Sequence, residues 1–396
     1  MRKAKNALSV DSNRMNFTLL GDPALHLAYA TTHDVVTDSI TRFDADGNLS
    51  TDTIRALSQV RIYGHIAPEG QTAVDTDFNG YVALQVFDKE ETIVTLCNDA
   101  TSTKDKIPYT FTDRSGTLFI GSVVVTDGQF TADFIVPKDI RYNYGLGRIV
   151  YYAVDTVNNY EANGYYEQFA IGGEDPNAIT DDEGPQINMY LNTPMFKSGD
   201  KTNESPLFVA HVSDDCGINA IGSGIGHDIL LKLDNDPQQE TVLNSYYTTN
   251  IGEYTNGTIK YQFTNLPEGK HHLFFRVWDL QNNSSTAELD FEVVHGLRPN
   301  LYDMFVYPNP ASSAATFVYV HDRPEQPLSV TATVTDLAGR VIYTGEQTVL
   351  TYDNRTELVW TFAGGISPGI YLVRMTVQVS DSENISKTLK LMVKKQ

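Results

Sequence analysis

The two cysteines of this chain carry its strongest nucleophiles, so they decide first whether it can be a covalent catalyst. Cys216 stands directly after two aspartates and before a glycine. Neighbouring carboxylates raise the pKa of a thiol, which is the opposite of what an attacking thiolate requires. Cys97 follows an expected strand at 92–96, where a buried, inert thiol is the favoured interpretation. We therefore predict two structural cysteines and no catalytic residue in this chain.

Histidines could act as a base or hold a metal. His227 is followed by Asp228, but no Gly-x-Ser-x-Gly nucleophile motif accompanies this pair. His271 and His272 lie in an expected strand, where adjacent side chains point to opposite faces. The two rings are therefore not expected to chelate one ion.

Two acidic loops, 44–48 and 234–236, place oxygen ligands two residues apart, a spacing that suits calcium. Neither loop has the glycine position or the terminal glutamate of an EF-hand. Asp, Asn and Gly are also ordinary turn formers. We predict no metal and no cofactor, with calcium in these loops as the alternative.

Adjacent tyrosines occur at 151–152, 165–166 and 246–247, and exposed tyrosine rings could stack on sugars. Neighbours in a strand face opposite sides, so one tyrosine of each pair is expected in a core. Sugar binding is kept only as an alternative.

The composition limits the partners. The formal net charge is −21 and the pI is about 4.7, so the surface repels phosphate backbones and no nucleic-acid partner is expected. Hydrophobic residues make up 41% of the chain and charged residues 20%, enough to build packed cores.

Period-two alternation broken by turns dominates the chain from residue 55 onward, and it predicts an all-β protein. About seven short strands are expected in each of the regions 55–173, 184–296 and 300–396, which is the size of an immunoglobulin-like β-sandwich. The dipeptides Asp127-Gly128 and Asn163-Gly164 predict hairpin turns. A glycine-, proline- and acid-rich stretch at 172–185 predicts a linker. Residues 1–30 are interpreted as the short remnant of an α/β domain.

The last hundred residues carry three turn motifs and a basic end. Two prolines fix an extended opening of this region, Gly339 permits a tight corner, and a proline–glycine turn precedes the strand with Arg374. The candidate signal and docking residues are Tyr307, Pro308, Asn309, Pro310, Asp336, Gly339, Arg340, Gly369, Tyr371, Arg374, Lys390 and Lys394.

In this order and spacing, these motifs resemble the C-terminal signal domain of the type IX secretion system. That resemblance covers residues 300–396 and implies a β-sandwich that directs proteins across the outer membrane of Bacteroidetes. Residues 16–25 resemble the closing segment of gingipain-type cysteine peptidase domains. Residues 223–229 and 321–324 resemble regions that follow it in the sortase members of that family.

The resemblance implies a cell-surface parent enzyme that cleaves the C-terminal signals of secreted cargo proteins and attaches the cargo to anionic lipopolysaccharide. The catalytic Cys and His of the family would lie upstream of residue 1. This chain would be the non-catalytic part, with residues 300–396 retained to dock on the outer-membrane shuttle barrel PorV and the two preceding sandwiches as spacers.

Two alternatives remain open. A secreted cargo peptidase of the gingipain type would lose its signal domain, leaving a mature end near residues 297–301. A surface adhesin or carbohydrate-binding β-protein would use the same export route and bind glycans through exposed tyrosines such as Tyr152 or Tyr166.

Overall fold

The structure is a computed structural model. It describes residues 32–43, 49–50, 53–97, 107–114, 116–178, 180–222, 226–350, 354–362, 366–379 and 384–394. The predicted peptidase remnant at 1–30 and the acidic loop at 44–48 lie outside these residues. The regular secondary structure of these residues is almost entirely β-strand, which confirms the predicted all-β class. No helix among them has the length and hydrophobicity of a membrane span.

The first group of strands surrounds one hydrophobic core and is called the first sandwich. Its strands are β1 (His33–Phe43), β2 (Leu49–Ser50), β3 (Ile54–Ala56), β4 (Gln59–Pro68), β5 (Gly80–Phe87), β6 (Glu91–Val94), β7 (Thr110–Asp113), β8 (Thr117–Val125), β9 (Gln129–Ile135), β10 (Gly145–Leu146), β11 (Arg148–Asp155), β12 (Glu161–Tyr166) and β13 (Ala170–Glu174).

The main sheet of the first sandwich has the order β8-β5-β11-β12-β1-β4-β9, with β2 beside β1. A smaller sheet has the order β10-β13-β3, and β6 and β7 form a separate hairpin. Alternation places one face of the longer strands in the core, as β5 shows with Val82, Leu84 and Val86 buried. β1 lies before residue 55 and was not expected from the sequence.

A two-residue parallel pairing, His33 with Ala162 and Asp34 with Asn163, joins the two halves of the main sheet. A Cβ on Gly164 would lie 2.2 Å from the carbonyl oxygen of Val35, so this close approach requires glycine. The predicted hairpin turn at Asn163-Gly164 is therefore wrong, because the dipeptide lies inside β12. The chain turns between β11 and β12 instead, where Asn159 has a φ of 57°.

The turn between β8 and β9 agrees with the sequence prediction. Asp127 and Gly128 have φ angles of 49° and 72°, as their dipeptide predicts. Thr126, just after β8, and Gln129, at the start of β9, form one isolated bridge, and β8 and β9 then lie at opposite ends of the strand order. Phe119 on β8 stacks on Phe134 of β9 across the core, with ring centroids 4.8 Å apart.

The second sandwich has its own core and two facing sheets, with orders β14-β16-β20-β19 and β15-β22-β21-β17-β18. Its strands are β14 (Gln186–Leu191), β15 (Lys201–Thr202), β16 (Leu207–Ser213), β17 (Leu230–Leu233), β18 (Glu240–Val242), β19 (Tyr247–Thr249), β20 (Asn256–Gln262), β21 (Gly269–Trp278) and β22 (Ser284–Val293), with 3-10 helices at Pro237–Gln239 and Asn244–Tyr246.

The predicted linker before this sandwich is more ordered than its composition indicates. Gly172 and Gly173 lie in β13, and Asp175 is buried. An Arg42 guanidinium nitrogen lies 3.1 Å from the Asp175 carboxylate, so part of the acidic stretch is held against the first sandwich.

The third sandwich also has a separate core, in which Trp360 stacks on Tyr343 with ring centroids 4.6 Å apart. Its sheets have the orders β23-β24-β27 and β26-β25-β28-β29. The strands are β23 (Leu301–Tyr307), β24 (Ala314–His321), β25 (Pro327–Asp336), β26 (Val341–Leu350), β27 (Arg355–Thr361), β28 (Gly369–Val379) and β29 (Ile385–Val393).

Candidate docking site at one end of the third sandwich

The corner between β25 and β26 is built by Asp336. Its carboxylate accepts hydrogen bonds from the backbone N–H of Ala338 at 3.0 Å and of Arg340 at 2.9 Å. These donors, with the Arg340 side chain 3.1 Å away, hold the pKa of Asp336 below its usual value. Gly339 has a φ of 82°, the left-handed conformation that glycine adopts without strain.

The start of β28 lies beside this corner, because Asp336 pairs with Tyr371 across the sheet. The Tyr371 ring is buried, and its hydroxyl donates a 2.7 Å hydrogen bond to the carbonyl of Ser367. Tyr371 therefore anchors the proline–glycine turn and is not available to a partner. Gly369 pairs with Val393, which brings the end of β29 to the same place.

Asn309 joins the opening of the third sandwich to its last strand. Its side-chain amide donates to the carbonyl of Lys390 at 3.0 Å, and its side-chain oxygen accepts from the N–H of Met392 at 2.9 Å. Backbone bonds between Ala311 and the chain at 392–394 extend this contact. Pro308 and Pro310 are exposed on either side, and both are preceded by cis peptide bonds.

Arg374 and Lys390 share the outer face of this sheet. Leu372 pairs with Lys390 and Arg374 with Thr388, so the two cations are diagonal neighbours. Ile370, Leu372 and Met392 are each about two-fifths exposed on the same face. The outer face of β28 and β29 thus combines exposed apolar side chains with positive charge on an acidic chain.

The motif residues, although distant in sequence, largely meet at one end of the third sandwich. Tyr307 is the exception, because it lies in the opposite sheet with its hydroxyl 3.1 Å from Glu357. Lys394 is exposed and its N–H donates to the carbonyl of Ala311. Sequence reasoning missed Ile370, Leu372 and Met392, although their alternation with buried residues along two strands was visible.

Cys216 has the inert setting that its neighbours predict. Burial raises the pKa of its thiol to about 12, and Gln281 donates a 3.1 Å hydrogen bond to its sulfur. Asp181, Asp214 and Cys216 bring ligand-type atoms within 4.8 Å of one another. Burial and, after it, nearby carboxylates raise the pKa of Asp214 to about 7. This carboxyl group is therefore partly protonated near neutral pH.

Cys97 is only partly buried, so the prediction of a buried thiol is wrong at this position. The strand before it ends at Val94, and Cys97 itself has a φ of 51° in the following turn. Its sulfur lies 3.6 Å from the Thr95 hydroxyl.

Each of the three candidate histidines pairs with a different carboxylate. His227 lies 2.7 Å from Asp139 of the first sandwich rather than bonding Asp228. His271 lies 2.8 Å from Asp234, whereas His272 lies 2.8 Å from Asp290. The two rings therefore face different surroundings, as expected of neighbours in a strand.

The tyrosine pairs follow the same geometry. Tyr151 is 2% exposed and Tyr152 is 46% exposed. Tyr166 was expected to be exposed, but it packs on Phe169 against the core, and Tyr165 is the exposed member of this pair. One member of each of these pairs belongs to a core.

A family model described as the secretion system C-terminal sorting domain matches residues 305–394. No protein of curated function matches the chain. Among solved structures, dimeric latent PorU from Porphyromonas gingivalis is 32% identical, with a TM-score of 0.43, and the alignment covers 95% of this chain and 35% of PorU.

Two further solved structures are more distant. The SGBP-B protein of a mixed-linkage glucan utilization locus of Bacteroides ovatus is 13% identical, covers 96% of this chain and 72% of its own, and has a TM-score of 0.28. The FN1–FN3 domains of chicken CNTN1 are 7% identical, with coverages of 91% and 98% and a TM-score of 0.22.

The chain spans about a third of the length of PorU, with 35% of that protein covered. The family match lies within the region where the sequence predicted a type IX signal domain. The chain as a whole is similar to PorU, and residues 305–394 match the family of secretion system C-terminal sorting domains, which confirms the signal-domain resemblance predicted from the sequence.

Proposed function

We propose that this chain is the non-catalytic docking and spacer part of a type IX secretion sortase of the PorU kind. In this proposal the parent enzyme cleaves the C-terminal signals of cargo proteins at the cell surface and attaches the cargo to anionic lipopolysaccharide. The third sandwich remains on the mature protein and docks on the outer-membrane protein PorV. The match of residues 305–394 to the sorting-domain family and the 32% sequence identity to PorU support this assignment.

The junction before the third sandwich is the observation that carries the proposal. Arg323 is buried and donates to the carbonyl of Leu297 at 2.8 Å and to that of Arg298 at 3.2 Å. Asp322, paired with Arg323 at 2.7 Å, accepts from the N–H of Asn300 at 2.8 Å. The Lys387 ammonium contacts the carbonyl of Leu301.

These contacts hold the backbone at 297–301, where a cargo protein would be cut. A peptidase must draw the scissile segment into an extended strand with its backbone groups free, and here three carbonyls and one N–H of that segment are already bound. Pro299 and Leu301 are also buried. A junction of this kind favours retention of the sorting domain over the cargo-peptidase alternative.

The C-terminal peptide of the mature surface protein tests retention directly. Mass spectrometry of the protein released from cells is expected to find peptides from β28 and β29 in the same chain as peptides from the first sandwich. A mature end between residues 295 and 302 would reject retention and favour a cargo peptidase.

Co-purification with PorV tests the docking surface. The change Leu372→Asp places a negative charge among the exposed apolar and cationic residues of β28 and β29, and it is expected to abolish co-purification. The matched control is Val359→Asp, which changes a residue 62% exposed on β27 of the opposite sheet. Equal loss with both variants, or with neither, would reject this face as the docking surface.

A further inference from the structure

A cavity of about 530 Å³ lies where the first sandwich meets the second. One wall includes the outer face of β8, β5 and β11, and the other is formed by residues 218–221 and 247–254 of the second sandwich. None of the described residues that line it is charged, although the chain has a net charge of −21. The cavity therefore suits a neutral ligand.

The free edge of β8 opens into this cavity. β8 pairs with β5 on one side, and on its other side the carbonyl of Ser122 accepts a 2.8 Å hydrogen bond from the N–H of Gly252. Residues two apart in a strand direct their backbone groups to the same edge. The N–H and C=O of Ile120 therefore also point away from β5, and no described residue pairs with them.

The sheet face beside this edge is unusually apolar for an outward surface. Tyr81 is 42% exposed, Ile120 55% and Tyr152 46%. In the sheet register, Tyr152 lies opposite Ala83, while Ile120 and Val150 flank Gln85 on either side. These apolar side chains lie side by side and offer a ligand a continuous apolar surface.

Two of the polar side chains of the cavity are already bonded within the protein. Asn244 accepts from the N–H of Ile229 and donates to the carbonyl of Ala220, and the Gln85 amide donates to Thr117. The Tyr247 hydroxyl is buried and has no partner among the described residues, so it can bind a ligand together with the unpaired N–H and C=O of Ile120. An unpaired backbone edge recognises another extended backbone.

We propose that this cleft binds an extended, uncharged peptide segment of a partner protein, which adds as a strand to the free edge of β8. Alternate side chains of the peptide then rest on the apolar face formed by Tyr81, Ile120 and Tyr152. The Gly252–Ser122 hydrogen bond is already one rung on this edge, contributed by the second sandwich. The site is separate from the docking end of the third sandwich.

A blocked peptide with the sequence of residues 328–335 of this chain, LSVTATVT, is a suitable probe because it is uncharged and alternates apolar with hydroxyl side chains. Calorimetry with the whole chain is expected to show binding, and hydrogen exchange at Ile120 is expected to slow. The same peptide with alternate backbone nitrogens methylated loses the donors needed for strand addition and is expected not to bind.

The change Ile120→Pro removes the free N–H in the cleft while leaving the pairing with β5 intact, and it is expected to weaken peptide binding by about tenfold or more. Val124→Pro is the matched control. Val124 has its N–H on the same edge, four residues further along, but does not line the cavity. It is expected to leave binding unchanged.

Ile251→Asp provides a second variant that is independent of strand geometry, because Ile251 is 53% exposed on the opposite wall. It is expected to weaken binding by about tenfold through desolvation of the new charge. Absence of binding up to ~1 mM peptide, equal effects of Ile120→Pro and Val124→Pro, or no effect of Ile251→Asp would overturn the proposal. Occupation of the cleft by cellohexaose instead of the peptide, or by a second copy of the chain that Ile251→Asp dissociates, would also overturn it.

Discussion

Burial and neighbouring carboxylates destabilise the ionised form of Asp214 in the folded protein. Burial is the first cause of its raised pKa, and the carboxylates of Asp279 and Asp181 add to it. The folded protein therefore binds a proton at this site up to a pH of about 7, whereas the unfolded chain releases it near 3.8. The contribution of Asp214 to stability accordingly falls as pH rises through this window and is lowest above pH 7.

The change Asp214→Asn removes this penalty, and the amide oxygen can still accept the hydrogen bond from the N–H of Cys216. The gain in the free energy of unfolding is expected to be about 1–2 kcal/mol larger at pH 8 than at pH 5, after a discount for partial exposure. Urea denaturation at both pH values measures it. Asp215→Asn, at an exposed neighbour, is the control, and a pH-independent gain at Asp214 would contradict the assignment.

At the residue scale, sequence reasoning identified the chemistry of Cys216 but only part of its cause. Adjacent acids were visible in the sequence and predicted an unreactive thiol. The larger cause of the raised thiol pKa is burial. The side chains of Gln281 and Asp181, which contact the thiol, come from distant parts of the chain. Contacts of that kind depend on how sheets pack and are not encoded in local spacing.

Asn309 shows how a short segment completes a larger element. Its side chain makes two hydrogen bonds, with the backbone of Lys390 and of Met392. These are like the bonds that a neighbouring strand would make with the free edge of β29. Asn309→Ala is expected to lower the free energy of unfolding by about 1–2 kcal/mol. It should also accelerate amide exchange at Met392, because that N–H loses its acceptor.

Hydrogen exchange followed by mass spectrometry measures this effect. Asn309→Asp is the informative control, since its carboxylate still accepts from Met392 but cannot donate to Lys390. It should protect Met392 and lose only part of the stability. Unchanged exchange in Asn309→Ala would show that the last strand does not depend on this residue.

At the element scale, alternation predicted most of the longer strands of the three sandwiches, because these bury one face, whereas short strands such as β2, β3, β7 and β10 were not predicted. Two features were missed for physical reasons. β1 precedes the region in which alternation was recognised, and half of its side chains are only partly buried. Gly164 was interpreted as a turn residue, whereas it is glycine because the backbone of Val35 approaches too closely for a side chain.

At the scale of the whole molecule, the second and third sandwiches are fastened by buried and backbone-directed contacts. The Asn354 amide donates to the carbonyl of Asn192 at 2.6 Å, and Gln326 donates to that of Ser205 at 3.0 Å. Arg323 binds the junction between them. None of these pairings follows from motif spacing, so the way in which the sandwiches are joined could not be predicted from the sequence.

Arg323→Met is expected to destabilise the third sandwich by about 3–5 kcal/mol, because it leaves the buried Asp322 carboxylate without its cation. The free energy of unfolding and thermolysin cleavage before Leu301 measure the effect. Arg340→Met, with a side chain 78% exposed, is expected to cost less than about 1 kcal/mol. If both variants resist thermolysin equally, Arg323 does not secure the junction.

The contact between the opening of the third sandwich and β29 also determines how the domain bears tension. The bridge between Ala311 and Val393 is parallel, and four hydrogen bonds at Asn309 and Ala311 lie along it. Parallel segments that are pulled from opposite ends slide along each other. A force applied to the chain at Lys394 therefore loads these four hydrogen bonds together instead of breaking them one after another. β29 is thus fastened against mechanical withdrawal from the third sandwich.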